Sequence, residues 1–192
     1  MSEFADELCN LALKSLGDIA GKIYGQSADL SIGAGVLYKD TSYASYDSET
    51  ERFKALQGMF LVLTHECDVA NERDFNEFVV GVPLIFIEDF AHKYQAASRM
   101  DEARSLIVNV CKGNVNQLYY LPPPSPLVAN VQALRLGALV YLNAMCSNHL
   151  KQFGDLEQNR VCALSEQGLE YADNMLRRHL FRPKADQLSK LA

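Results

Sequence analysis

Residues 59–64, Met-Phe-Leu-Val-Leu-Thr, form the most apolar run of this chain. Its β-branched and aromatic content predicts a central buried strand. The polar string His65-Glu66-Cys67-Asp68 follows at once, and residues 71–76 read as a charged turn. A second run, Phe78 to Ile87 (FVVGVPLIFI), predicts a partner strand. Proline has no backbone N–H, so Pro83 must interrupt the ladder, bend the strand or place it at an edge. Together the two runs predict an antiparallel hairpin with a wide loop.

Outward from this hairpin the chain alternates helix and strand signals. Phe4, Leu8, Leu11, Ala12, Leu16 and Ile19 recur at helical spacing, which predicts an N-terminal helix over residues 1–22. That helix packs on its own domain or serves as a docking element. Residues 30–39 read as a bent strand or strand pair, and residues 40–47, rich in Ser, Thr, Asp and Tyr, as an exposed loop. Residues 48–57 read as a short charged helix closed by Gly58. Residues 88–111 read as a helix in two parts, with a start signal at Ser98. Residues 117–121 (QLYYL) read as a strand entering the proline run 122–126. Residues 131–143 predict one or two strands broken near Gly137, and residues 160–164 a last strand. Ser165 caps a final helix whose stripe is Leu169, Ala172, Met175, Leu176 and Leu180. The expected class is α+β. A mainly antiparallel, partly closed sheet or small barrel carries N-terminal, middle and C-terminal helices. The expected organisation is a single domain over 1–192 with its core in 30–182.

Composition sets the class of partner. The 192 residues are 48% apolar and 22% charged, ordinary for a soluble globular protein. Eighteen Lys and Arg against 24 Asp and Glu leave a formal charge of -6. That balance disfavours a general electrostatic grip on nucleic acid and leaves a local C-terminal basic patch as the route to one. The five cysteines are widely spaced, with no CxxC pair, which fits neither a secreted disulfide framework nor a zinc ribbon. The acidic start MSEFADELCN does not resemble a signal peptide. A cytoplasmic setting with a protein partner and no membrane is expected.

The string 64–68 is the sharpest candidate site. Along an extended strand, alternate residues share a face, so His65 and Cys67 share one and Glu66 and Asp68 the other. Three chemistries compete. His65 and Cys67 are zinc-ligand types, but no third ligand has a diagnostic spacing, so no metal or other cofactor is assigned. Cys67 is a candidate nucleophile with His65 as base, although Glu66 and Asp68 oppose the thiolate. Thr64, Glu66 and Asp68 can also form a hydrogen-bonding pocket for a polar or basic ligand. The structural alternative is a core thiol beside a carboxylate satisfied by its own turn. The catalytic candidates are thus His65, Cys67 and Asp68. The ligand-binding candidates are Thr64, Glu66, Tyr119, Arg178 and Arg182. Tyr119 qualifies because one of the pair 119–120 is expected to face solvent. The two arginines belong to the basic set at 177–184.

The order T-H-E-C-D (64–68), L-Y-Y-L-P-P (118–123), L-S-E-Q-G (164–168) and H-L-F-R-P (179–183) resembles a group of uncharacterised bacterial proteins with a C-D dipeptide after a core strand. Its layout is similar to the small β-barrels of the MazF/PemK toxin class. Gly35-Val36-Leu37 and Gln57-Gly58-Met59 stand where that class carries G-D-[IV] and R-P-[AV]. The resemblance implies a bacterial binding or regulatory protein of a defence or toxin-type system. Its alternative is a hydrolase or nuclease, a MazF-like ribonuclease or a metal- or Cys-dependent enzyme, using His65, Cys67 and Asp68.

Overall fold

The computed structural model describes residues 2–25, 33–47, 50–64, 77–126, 128–129 and 132–180. In chain order the elements are α1 (Glu3–Leu16), β1 (Tyr24–Gly25), β2 (Val36–Asp47), β3 (Arg52–Val62), β4 (Phe78–Phe86), α2 (Ile87–Ala96), α3 (Met100–Cys111), β5 (Leu118–Leu121), β6 (Ala138–Tyr141), β7 (Cys146–His149), α4 (Leu156–Asn159), β8 (Arg160–Leu164) and α5 (Glu166–Leu180). Short 3-10 turns join several of them. The strand order is β1-β8-β2-β3-β4-β6-β5, with β7 also on β4, and every pairing is antiparallel. The class is α+β. Among the described residues the path ends at β1 and β5 without closing.

The predicted central strand is the last third of β3. Met59 and Leu61 enter one apolar cluster, while Phe60 and Val62 enter another on the opposite face. Burial on both faces is why this run is apolar without alternation. Its pairing with β4 is short: Phe60, Leu61 and Val62 face Pro83, Val82 and Gly81. Beyond Pro83, β4 takes β6 on its other edge, with Leu84 against Val140 and Phe86 against Ala138. The sheet therefore splits at Pro83, and the β2–β3 hairpin continues outward as a two-stranded arm.

That arm corrects two expectations. Residues 40–47 are strand, not loop, and residues 52–57 are strand, not helix. Arg52 to Gln57 contains good helix formers. Cross-strand pairing with Ser42 to Asp47 outweighs that preference, because strand propensity is set by neighbours. Glu51 takes a positive φ of 53° beside the hairpin end. A register shift between Tyr38 and Thr41, where Asp40 has φ 54°, bends β2.

The helices cover the rest. Phe4, Leu8 and Ala12 of α1 pack with Ile87, Phe90 and Ala91 of α2 and with Ala103, Ile107 and Val110 of α3. The N-terminal helix thus buries its stripe within this chain. The break between α2 and α3 falls where Ser98 adopts φ 56°. Helix α5 starts at Ser165, whose Oγ accepts from the Gly168 backbone at 3.0 Å and also contacts the Lys22 carbonyl. Ala172 and Met175 join the cluster that holds Met59 and Leu61. A methionine side chain stabilises the fold by roughly 1.5–3 kcal/mol when fully buried.

Candidate functional site

The end of β3 is clamped. Leu63 and Thr64 donate backbone hydrogen bonds to the Val80 carbonyl at 2.8 and 3.2 Å. The Thr64 hydroxyl accepts from the Val80 N–H at 2.6 Å and donates to the Val80 carbonyl at 3.4 Å. Thr64 therefore ties two strands together. His65, Glu66, Cys67 and Asp68, which follow it, lie outside the described residues, as does Arg182.

A cleft of about 300 Å³ opens where β3 ends. Its walls are Gly35 ahead of β2, Leu61 to Leu63, Leu164 at the end of β8, and Leu169, Ala172, Asp173 and Leu176 of α5. Gly35 has φ 85°, and a Cβ there would come within 2.5 Å of Leu169 Cδ2. A glycine is needed for that backbone and for the close approach of α5. Leu169 remains 38% exposed, which leaves an apolar side chain at the mouth. Asp173 supplies the charge of the described lining, and its Oδ2 takes the Nε–H of Arg177 at 2.6 Å. Apart from Asp173 the described walls are apolar, and the polar string 65–68 expected to form a pocket lies outside the described residues.

The split in the sheet makes a second hollow. A groove of about 590 Å³ lies between the β2–β3 arm and the β4–β6–β7 segment. Phe53, Leu56, Ile85 and Met145 line it and are 74%, 43%, 38% and 37% exposed. None of its described lining residues is charged.

The other sequence-derived candidates fall elsewhere. Tyr119 and Tyr120 are both fully buried, which corrects the expectation that one faces solvent. Strand β5 has helices on both faces: Tyr119 packs edge-on against Tyr171 of α5, and Tyr120 enters the cluster of α1, α2 and α3. Tyr119 is therefore not available to a ligand. Arg178 directs its Nη1 to the Gly113 carbonyl at 3.5 Å, just past the end of α3, where a cation complements the helix dipole. Burial pushes the thiols of Cys111 and Cys162 up to about 12 and raises that of Cys146, which keeps all three protonated. Among the described residues no three His, Cys, Asp or Glu side chains converge on a metal position.

Two pairs of residues that line these hollows carry no local signal in the sequence. Leu169 and Leu176 read as an ordinary helix stripe, and Phe53 and Leu56 are hidden by the helical character of their segment. Compared with known proteins, the chain matches no family model, no curated protein and no solved structure. Among the described residues no helix is long and apolar enough to cross a membrane.

Proposed function

We propose that this chain is a binding protein that takes an apolar group of its ligand or partner into the cleft at the end of β3. The observation that carries the reading is the cleft itself. Strand β3, buried on both faces at its end, stops beside a largely apolar hollow of about 300 Å³ with Leu169 at its mouth. Its size and lining suit a compact hydrophobic group. In the chain, His65-Glu66-Cys67-Asp68 follows Thr64 directly, and in this proposal it provides the polar part of recognition. The setting proposed with it is the bacterial cytoplasm, in a defence- or toxin-type system, on the sequence resemblance.

The test is an NMR titration of methyl-labelled protein with hexan-1-ol. Shifts confined to Leu61, Val62, Leu63, Leu164, Leu169 and Leu176 are expected. Shifts centred instead on Leu56, Leu84, Ile85 and Met145 would move recognition to the groove and overturn the assignment.

A further inference from the structure

Both ring nitrogens of His149 are committed. Nδ1 lies 3.1 Å from the backbone nitrogen of Lys151, which has a hydrogen to give and no lone pair, so Nδ1 accepts. Nε2 lies 2.7 Å from Oε2 of Glu77, and an ionised carboxylate offers only lone pairs, so Nε2 carries the hydrogen. One state of the ring satisfies both contacts: neutral and protonated on Nε2. A doubly protonated ring keeps Glu77 but sets Nδ1–H against the Lys151 N–H, donor against donor.

A core contact depends on this bond. Nδ1 is the acceptor that opens the 3-10 turn Leu150–Phe153, and Gln152 Oε1 answers by accepting from the His149 backbone at 2.7 Å. The turn delivers Phe153, fully buried, edge-on to Tyr38 and Phe60 at 5.2 and 5.6 Å. The Glu77 carbonyl also accepts from Leu150 N–H at 2.7 Å. Phe78 of β4 meets the imidazole edge-on at 5.2 Å. Among the described residues, Glu77 presents the charge that contacts the ring, β4 presents the uncharged Phe78, and the turn presents the Lys151 backbone.

We infer that His149 is an acid-sensitive latch. A solvent proton taken up at Nδ1 removes the acceptor that opens the turn while the Nε2–Glu77 contact holds. The turn and Phe153 then loosen from β2 and β3.

The test is long-range ¹H–¹⁵N correlation of the ring in the whole protein at about pH 8 and about pH 5. It is read alongside hydrogen-exchange protection of residues 150–153, corrected for intrinsic rates. At the higher pH, Nδ1 is expected to be bare and Nε2 to carry hydrogen. At the lower pH both carry hydrogen, and protection of the turn falls about fivefold, as for loss of one cap. In His149→Asn, whose amide oxygen caps without titrating, the pH response is expected to vanish. An Nδ1–H tautomer at the higher pH, unchanged protection in the native protein, or an undiminished response in His149→Asn each overturns the inference.

Discussion

Gly81 lies against the ring of Phe60, so close that a Cβ at position 81 would collide with that ring and with the Leu61 carbonyl. It is also the residue at which β4 is paired on both edges, to Val62 of β3 and to Cys146 of β7. The absent side chain lets three strands meet beside the point where the sheet divides.

Gly81→Ala is therefore expected to destabilise the protein. Both neighbours are fixed, one a backbone atom and the other a fully buried ring. Overpacking of this kind costs typically about 1–3 kcal/mol. Urea unfolding checks it, and an unchanged midpoint would contradict the packing described.

Much of this architecture is legible in the sequence. Residues 59–62 are apolar because both faces are covered, and Pro83 marks the place where the β3–β4 ladder stops. The Ser165 cap follows from local chemistry. The start signal read at Ser98 does not cap α3: Arg99 holds that position without a side-chain bond, and Ser98 sits at φ 56° in the break before it. The arm does not, because Arg52 to Gln57 prefers helix in isolation and is held extended by pairing with β2. The two faces of β5 are equally silent, since burial of both Tyr119 and Tyr120 depends on helices distant in sequence. For the candidate site, the buried strand that walls the cleft is readable, while the polar string 65–68 lies outside the described residues. The α5 wall of the cleft is not readable, because Leu169 reaches the mouth through the approach of α5 to Gly35.

The neighbouring tyrosines of β5 should respond oppositely to loss of a hydroxyl. Tyr120 donates to the Leu136 carbonyl at 2.8 Å in a buried setting. The hydroxyl of Tyr119 is buried without a hydrogen-bond partner among the described residues. Tyr120→Phe should cost about 1–3 kcal/mol by stripping a buried acceptor, while Tyr119→Phe should be neutral or stabilising. Thermal unfolding of the two variants side by side checks the contrast, and equal losses would refute it.

A modest acid dependence is expected from the link between α1 and α3. Arg104 binds Glu7 through Nε at 2.6 Å and Nη2 at 3.0 Å. These bonds hold the Glu7 carboxyl below the usual glutamate range. As pH falls, the unfolded chain takes up this proton first. The stabilisation is therefore present above about pH 4.3 and is lost as pH drops through the lower folded value. The pair is substantially exposed, with side chains 43% and 35% accessible for Glu7 and Arg104, so its worth is under about 1 kcal/mol. Denaturant unfolding of the native protein and Glu7→Gln should differ slightly at about pH 7 and converge at about pH 2–3. A gap that widens in acid would contradict the sign.

The cleft at the end of β3 is tested most directly by filling it. The chain has no tryptophan, so Leu169→Trp introduces a single indole at the mouth. Binding of 1-anilinonaphthalene-8-sulfonate by the native protein and by this variant is the measurement. One dye site per native chain is expected. In the variant that site disappears, and the indole emits at short wavelength, shielded from iodide. Undiminished dye binding in a folded variant whose indole is fully quenched would contradict the proposed site.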